Sequence, residues 1–245
     1  MERLTETITL CRTGQIEERL KAFNAALIDA EECDDPLMRT LFPVFHEKFG
    51  RNLTTPGLIK WCVENGMIQQ ALTIYKERIP AYLIRERRDI LEVKANAPMP
   101  DNVKSYENED EARFYEHLLK IGGNMRSSLR RASASAYYAD EGWDPTVITL
   151  KYMDDGMLSR SYFKVNCTML KLNEILMDYL YIRALRNMIH HANDSSTASQ
   201  RDIEAYLVDA GYKRLEDVGL EDVKKALLKS LDHLKVLSGK GKKTK

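Results

Sequence analysis

Arg186, Asn187 and His191 are the residues of this chain whose types and spacing fit a reaction. Cleavage of RNA without a metal needs a base to take the proton of a ribose 2′-OH. It also needs an acid to protonate the leaving 5′-oxygen, and a cation to stabilise charge on the phosphorus centre. Histidine titrates near neutrality and suits the first two tasks. The planar fork of arginine suits the third. Asn187 precedes His191 by four positions, so the two share roughly one helix face, where the amide orients the imidazole or holds a phosphate oxygen. Arg186 and His191 are five positions apart, about 140° around a straight helix, and cannot address one phosphate from mid-helix. Either the helix unwinds near Ala192–Asn193, or a second copy of the helix end completes the site across a two-fold axis.

The element that positions these residues is a long apolar helical pattern, expected from about Phe163 to Asn193. At 100° per residue, Leu172, Leu176 and Tyr179 lie on one side, and Arg183, Arg186, Asn187 and His190 continue it. An apolar seam thus turns cationic and hydrogen-bonding in its last turns. The bland alternative is a helix end entering solvent, with cations favoured by the helix dipole. The seam itself is the expected contact of a dimer. His190 paired with Arg183 is a second version of the motif, but it lacks the polar residue straight after the arginine; His190 otherwise supports the site or is exposed. Adjacent helical histidines diverge by about 100° and no carboxylate has ligand spacing, so a metal at His190–His191 is not expected. His46, His117 and His233 read as ordinary surface or partly buried residues.

Around this helix the chain reads as all-α. Helices are expected over 3–12, 16–32 and 37–49, the last introduced by Asp35-Pro36 and ended by Gly50. Others run from Thr54-Thr55-Pro56 to Asn65-Gly66, over Met67–Arg78 ended by Pro80, and over Ala81–Val93 with Arg85, Arg87 and Arg88. Residues 94–107, with Ala97-Pro-Met-Pro100, form the expected linker between a helical domain at 1–93 and a second domain at 108–237. Asn108 caps a helix reaching about Ala139. Thr146–Met153 and Met157–Phe163 alternate as a small hairpin insert. Helices at 199–210 and 219–237 precede a basic tail, 238–245, expected to be disordered. Arg126, Arg130 and Arg183 are candidate RNA contacts; for Arg126 and Arg130 a solvated helix face explains the charge equally well.

Composition sets the limits. Lys+Arg and Asp+Glu are 37 each, so the chain does not coat nucleic acid non-specifically, although a local basic patch is allowed. Cys11, Cys33, Cys62 and Cys167 are scattered without metal-ligand spacing and read as buried thiols in a reducing compartment. Cys62 has no base nearby in sequence and is not expected to be a nucleophile. No apolar run reaches membrane-spanning length and no signal-peptide pattern opens the chain, so a cytoplasmic protein with no membrane partner is expected. No glycine-rich loop follows a strand, and no cofactor is expected.

Two stretches together carry a family resemblance. Arg186-Asn187-x-x-x-His191 at the end of a long helix resembles the signature of the HEPN superfamily. Leu58-Ile-Lys-Trp61-Cys62 through Gln69-Gln70-Ala71-Leu72-Thr73 resembles the helical region of CARF–HEPN proteins, the ancillary ribonucleases of type III CRISPR systems. The resemblance spans about residues 3–237. It implies a HEPN-like helical bundle and a metal-independent endoribonuclease, a homodimer cutting single-stranded RNA to a 2′,3′-cyclic phosphate and a 5′-OH. By position Arg186 and His191 would be catalytic, and Asn187 and His190 supporting. Family members usually begin with a Rossmann-like CARF domain that senses cyclic oligoadenylate. This chain has no strand-rich segment to build one, so such sensing is expected only through a CARF domain absent from this chain, which is a fragment or a natural form without the sensor. The competing expectation is a non-catalytic helical module that dimerises or binds a partner.

Overall fold

A computed structural model describes residues 2–32, 34–50, 52–97, 163–190, 204, 207–208 and 211–235. The chain divides into two compact units, Met1–Ile79 and Pro80–Lys245. That division lies earlier than the expected linker at 94–107. The described residues are mostly helical, as the periodicity predicts, with one two-stranded antiparallel sheet.

In the first unit, α1 (Glu2–Thr9) is followed by a 3-10 turn at Thr13–Gln15 and by α2 (Ile16–Glu31). Ile16, Leu20, Phe23 and Leu27 recur at helical spacing on α2 and are all buried. α3 (Pro36–Phe49) starts where the sequence signals a start: the Asp35 side chain accepts from the Leu37 N–H at 2.7 Å, and Pro36 occupies the first turn. Gly50 ends it at φ 68°, a backbone state that glycine adopts at little cost. α4 (Thr55–Glu64) is capped by Thr54, whose hydroxyl accepts from Gly57 N at 3.3 Å, and is followed by Gly66 at φ 74°. Asn24 clamps the loop before α4 in both directions: its amide nitrogen donates to Leu53 O at 3.0 Å, and its oxygen accepts from Leu53 N at 2.8 Å. Leu58, Ile59 and Cys62 of α4 join Ala71, Leu72, Ile74 and Tyr75 in the core.

Those last four belong to α5 (Ile68–Arg85), which corrects one expectation. Pro80 lies inside this helix and does not end it. An interior proline costs about 3 kcal/mol. Ile79, Ala81, Leu83 and Ile84 are all buried around it, and their burial outweighs that local cost. The next segment departs from expectation as well. The helix expected over 81–93 stops at Arg85, and 91–93 form a strand, β1 (Leu91–Val93). The turn between them is built by Arg87. Its buried guanidinium grips Asp89 through two bonds, Nε to Oδ1 at 2.7 Å and Nη2 to Oδ2 at 2.6 Å, while its carbonyl accepts from Ile90 N and Leu91 N.

β1 pairs with β2 (Phe163–Val165), with Leu91 opposite Val165 and Val93 opposite Phe163. The expected hairpin over 146–163 lies outside the described residues except for Phe163, which opens β2. The long helix consequently begins later than expected. It is α6 (Met169–His190), entered through Thr168, whose hydroxyl accepts from Lys171 N at 3.2 Å. Residues 163–168 are held differently: the Asn166 side chain donates to Arg88 O at 2.7 Å and its backbone N–H to Ile90 O at 2.9 Å. α7 (Leu220–His233) packs along α6. It contributes Val223, Leu227 and Leu231, spaced every four positions and all buried. Asp222 fixes its start by accepting from Gly219 N at 2.9 Å and from Lys213 Nζ at 2.7 Å. Of the expected helix at 199–210, Glu204, Leu207 and Val208 are described and helical.

Candidate functional site

α6 carries the motif, and burial changes along its length. Leu172, Leu176 and Tyr179 are buried within the chain at 0%, 3% and 0% exposure. The expectation that this seam forms a dimer contact is therefore corrected. Folding has already removed it from solvent, and a second copy has nothing there to bury. Further along the same side, Arg183, Arg186 and Asn187 are half-buried. The turn from apolar to polar is real, and it coincides with the helix leaving the core.

Arg186 and Asn187 lie together. Arg186 Nη1 donates to Asn187 Oδ1 at 3.4 Å, a long contact for a hydrogen bond. Arg186 Nε is buried and has no hydrogen-bond partner among the described residues. A buried donor without a partner costs free energy, and Arg19 Nε and Arg87 Nη1 share this state among the described residues. Arg183, half-buried one turn earlier, does have an interaction partner. His190 is the last described residue of α6, and it is helical. His191, Arg126 and Arg130 lie outside the described residues, as does the lysine-rich tail.

Sequence reasoning missed a second polar cluster on α6. Asp178 is only 3% exposed, yet both of its oxygens are occupied. Oδ1 accepts from the Tyr212 hydroxyl at 2.8 Å and Oδ2 faces His233 Nδ1 at 2.6 Å. The Tyr212 ring stacks obliquely on Tyr181 at 4.7 Å between centroids, and burial pushes the Tyr181 phenol up to about 12. Read from sequence as an ordinary histidine, His233 proves to be the partner of a buried acid. An aspartate inside an otherwise apolar stretch of α6 was the available signal, because a buried charge requires partners. Which residues supply them, 34 and 55 positions away, no local pattern encodes.

Cys62 behaves as expected of a packing residue: it is fully buried, and burial pushes its thiol up to about 12, so little of the nucleophilic thiolate forms near neutrality. Arg87 of the expected arginine cluster is likewise structural, through Asp89. Among the described residues no helix is long and apolar enough to cross a membrane.

No protein-family model matches the chain, and no characterised protein and no solved structure is significantly similar to it.

Proposed function

We propose that the chain is a HEPN-type endoribonuclease that cleaves single-stranded RNA at the end of α6. In the proposed reaction the ribose 2′-oxygen attacks phosphorus as a histidine takes its proton. The bond from phosphorus to the 5′-oxygen breaks, and that oxygen leaves with a proton from an acid. A 2′,3′-cyclic phosphate and a 5′-OH result. His191 has the acid or base role and Arg186 stabilises the phosphorane charge. Asn187 orients or holds an oxygen, with His190 and Arg183 beside them. The observation that carries this reading is the half-buried Arg186, whose Nε lacks a partner among the described residues and whose guanidinium makes only a long bond to Asn187 there. Arg19 and Arg87 also have a buried nitrogen without a partner among the described residues, so what supports the reading is the place of Arg186 beside Asn187 in the last turns of α6.

The spacing of Arg186 and His191 is met by a second helix end or by unwinding near Ala192–Asn193, and the reading adopted is the first, a homodimer. With the seam buried, the dimer contacts belong to the last turns of α6. The test is cleavage of a labelled single-stranded RNA in EDTA by wild type and by His191→Ala. The expected result is wild-type cleavage to cyclic-phosphate products and a loss of about 10²–10⁴-fold in the variant. Equal cleavage by both proteins, or none by wild type, overturns the reading and favours a non-catalytic binding module.

A further inference from the structure

The cap that ends α4 is built from residues that also have a reaction of their own. Of the asparagines in the chain, Asn65 alone is followed by glycine. Gly66 stands at φ 74°, and its N–H donates to Val63 O at 3.2 Å. The N–H of Met67 donates to Cys62 O at 2.9 Å. These two bonds reach back over the last turn and satisfy carbonyls that the helix leaves open, with glycine in the left-handed position they need. Asn65 adds a third tie, its side-chain nitrogen donating to Trp61 O at 2.8 Å. Asn65 and Gly66 are both exposed, so water reaches them.

An asparagine before a glycine is open to attack by its own backbone, because glycine has no side chain to crowd the attacking nitrogen. The Gly66 nitrogen gives its proton to solvent base and bonds to Asn65 Cγ. The Cγ–Nδ2 bond breaks, and ammonia leaves with a proton taken from water. Water then opens the five-membered imide. Breaking the bond from nitrogen to Cγ leaves aspartate. Breaking the bond from nitrogen to the main-chain carbonyl leaves isoaspartate, with the chain rerouted through Cβ and Cγ.

The folded cap blocks the first step. Asn65 has φ −96° and ψ 12°. Ring closure needs Cβ and the Gly66 nitrogen nearly eclipsed about the Cα–C bond, and at this ψ the tetrahedral Cα holds them far from eclipsed. The attacking N–H and the leaving amide are also both engaged, with Val63 O and Trp61 O. Reaction therefore waits for the cap to open, and exposed helix ends open at much lower cost than the whole fold.

We propose that Asn65–Gly66 is a self-modification site, converting to aspartate and isoaspartate at a rate set by opening of the α4 cap. The conversion runs one way. A carboxylate cannot donate to Trp61 O, and it lies at the negative end of the helix dipole. Isoaspartate lengthens the main chain ahead of Gly66 and takes the Gly66 and Met67 donors out of register with Val63 and Cys62. The joint between α4 and α5, where Cys62 and Ile68 are buried, is loosened as a result. The site lies within the first unit and does not depend on the ribonuclease reading.

Ageing of the full chain in mildly alkaline buffer, once folded and once in urea, tests this. Peptide mass spectrometry reads the amide-to-acid mass gain at Asn65, and chromatography separates isoaspartate from aspartate. Both samples are expected to convert at Asn65, the folded one about 10–100-fold more slowly. Amide hydrogen exchange at Met67 is expected to be about 3–10-fold faster in aged than in fresh folded chain. Asn65→Gln keeps an amide but needs a larger ring, and the mass gain in that peptide is expected to disappear. Equal rates in buffer and urea overturn the proposal, as does a folded chain left unconverted while the urea sample is fully converted. So does a mass gain that persists in Asn65→Gln, which would place the reaction at another amide.

Discussion

Asp178 and Arg186 sit two turns apart on α6, the first among buried residues and the second where burial becomes partial. They are treated in opposite ways. Asp178 is the more deeply buried, and its two oxygens are matched to Tyr212 and His233 at 2.8 and 2.6 Å. Arg186 is less buried, and among the described residues it has a long contact to Asn187 and no partner for Nε. A polar group completed by its own chain is part of the fold. One left incomplete at the edge of the core is available to a ligand. Burial alone would have ranked the two the wrong way round.

The contrast predicts separable effects. Asp178→Ala is expected to have the largest, a loss of about 3 kcal/mol in stability, because Tyr212 and His233 lose their shared acceptor in a buried setting. Chemical denaturation measures it, and cleavage per folded molecule should not change. Arg186→Ala is expected to do the reverse: cleavage falls about 10²–10³-fold while the denaturation midpoint barely moves. An Arg186→Ala protein that unfolds early but cleaves normally would erase the distinction. Tyr212→Phe sharpens it, since removing one hydroxyl should cost about 1 kcal/mol and leave the His233 contact in place. The smallest effect concerns Asp89. Hydrogen bonds from Arg87 hold its carboxyl below the usual range. A depressed folded pKa contributes stability that is complete above the unfolded pKa and is lost as pH falls through the folded value. Asp89→Asn should therefore lower stability near neutrality, where the carboxylate's contribution is complete, and change little at low pH, which flattens part of the acid limb of a stability–pH profile.

Much of the fold was legible because its signals are local. Asp35-Pro36, Thr54, Gly50 and Gly66 delimit helices through contacts within a few residues of themselves. The i, i+4 apolar spacing of α2 needs no partner to be recognised. Errors arose where distant residues decide. Pro80 breaks a helix by local rule but is overruled by buried neighbours. Residues 91–93 and 163–165 are too short to show alternation and become strands only by meeting each other. The seam of α6 illustrates the same limit for the site. Sequence shows that Leu172, Leu176 and Tyr179 seek cover, but not whether α7 or another molecule provides it. Arg186 and Asn187 were legible by type and spacing. The partner of His233 was not, because Asp178 comes from another helix.

The pairing of β1 with β2 also has a consequence for biosynthesis. Every contact of the first unit is available once Ile79 has been made. Leu91 to Val93 must wait for 163–165, and the bond from Asn166 to Arg88 spans 78 positions. At about 5–20 residues per second on the ribosome, that wait lasts roughly 4–16 s. During it Leu91, fully buried in the finished protein, is an uncovered strand edge on a nascent chain. A pause in translation between codons 93 and 163 would lengthen that interval, and slow codons there should lower the yield of folded protein without changing a single amino acid.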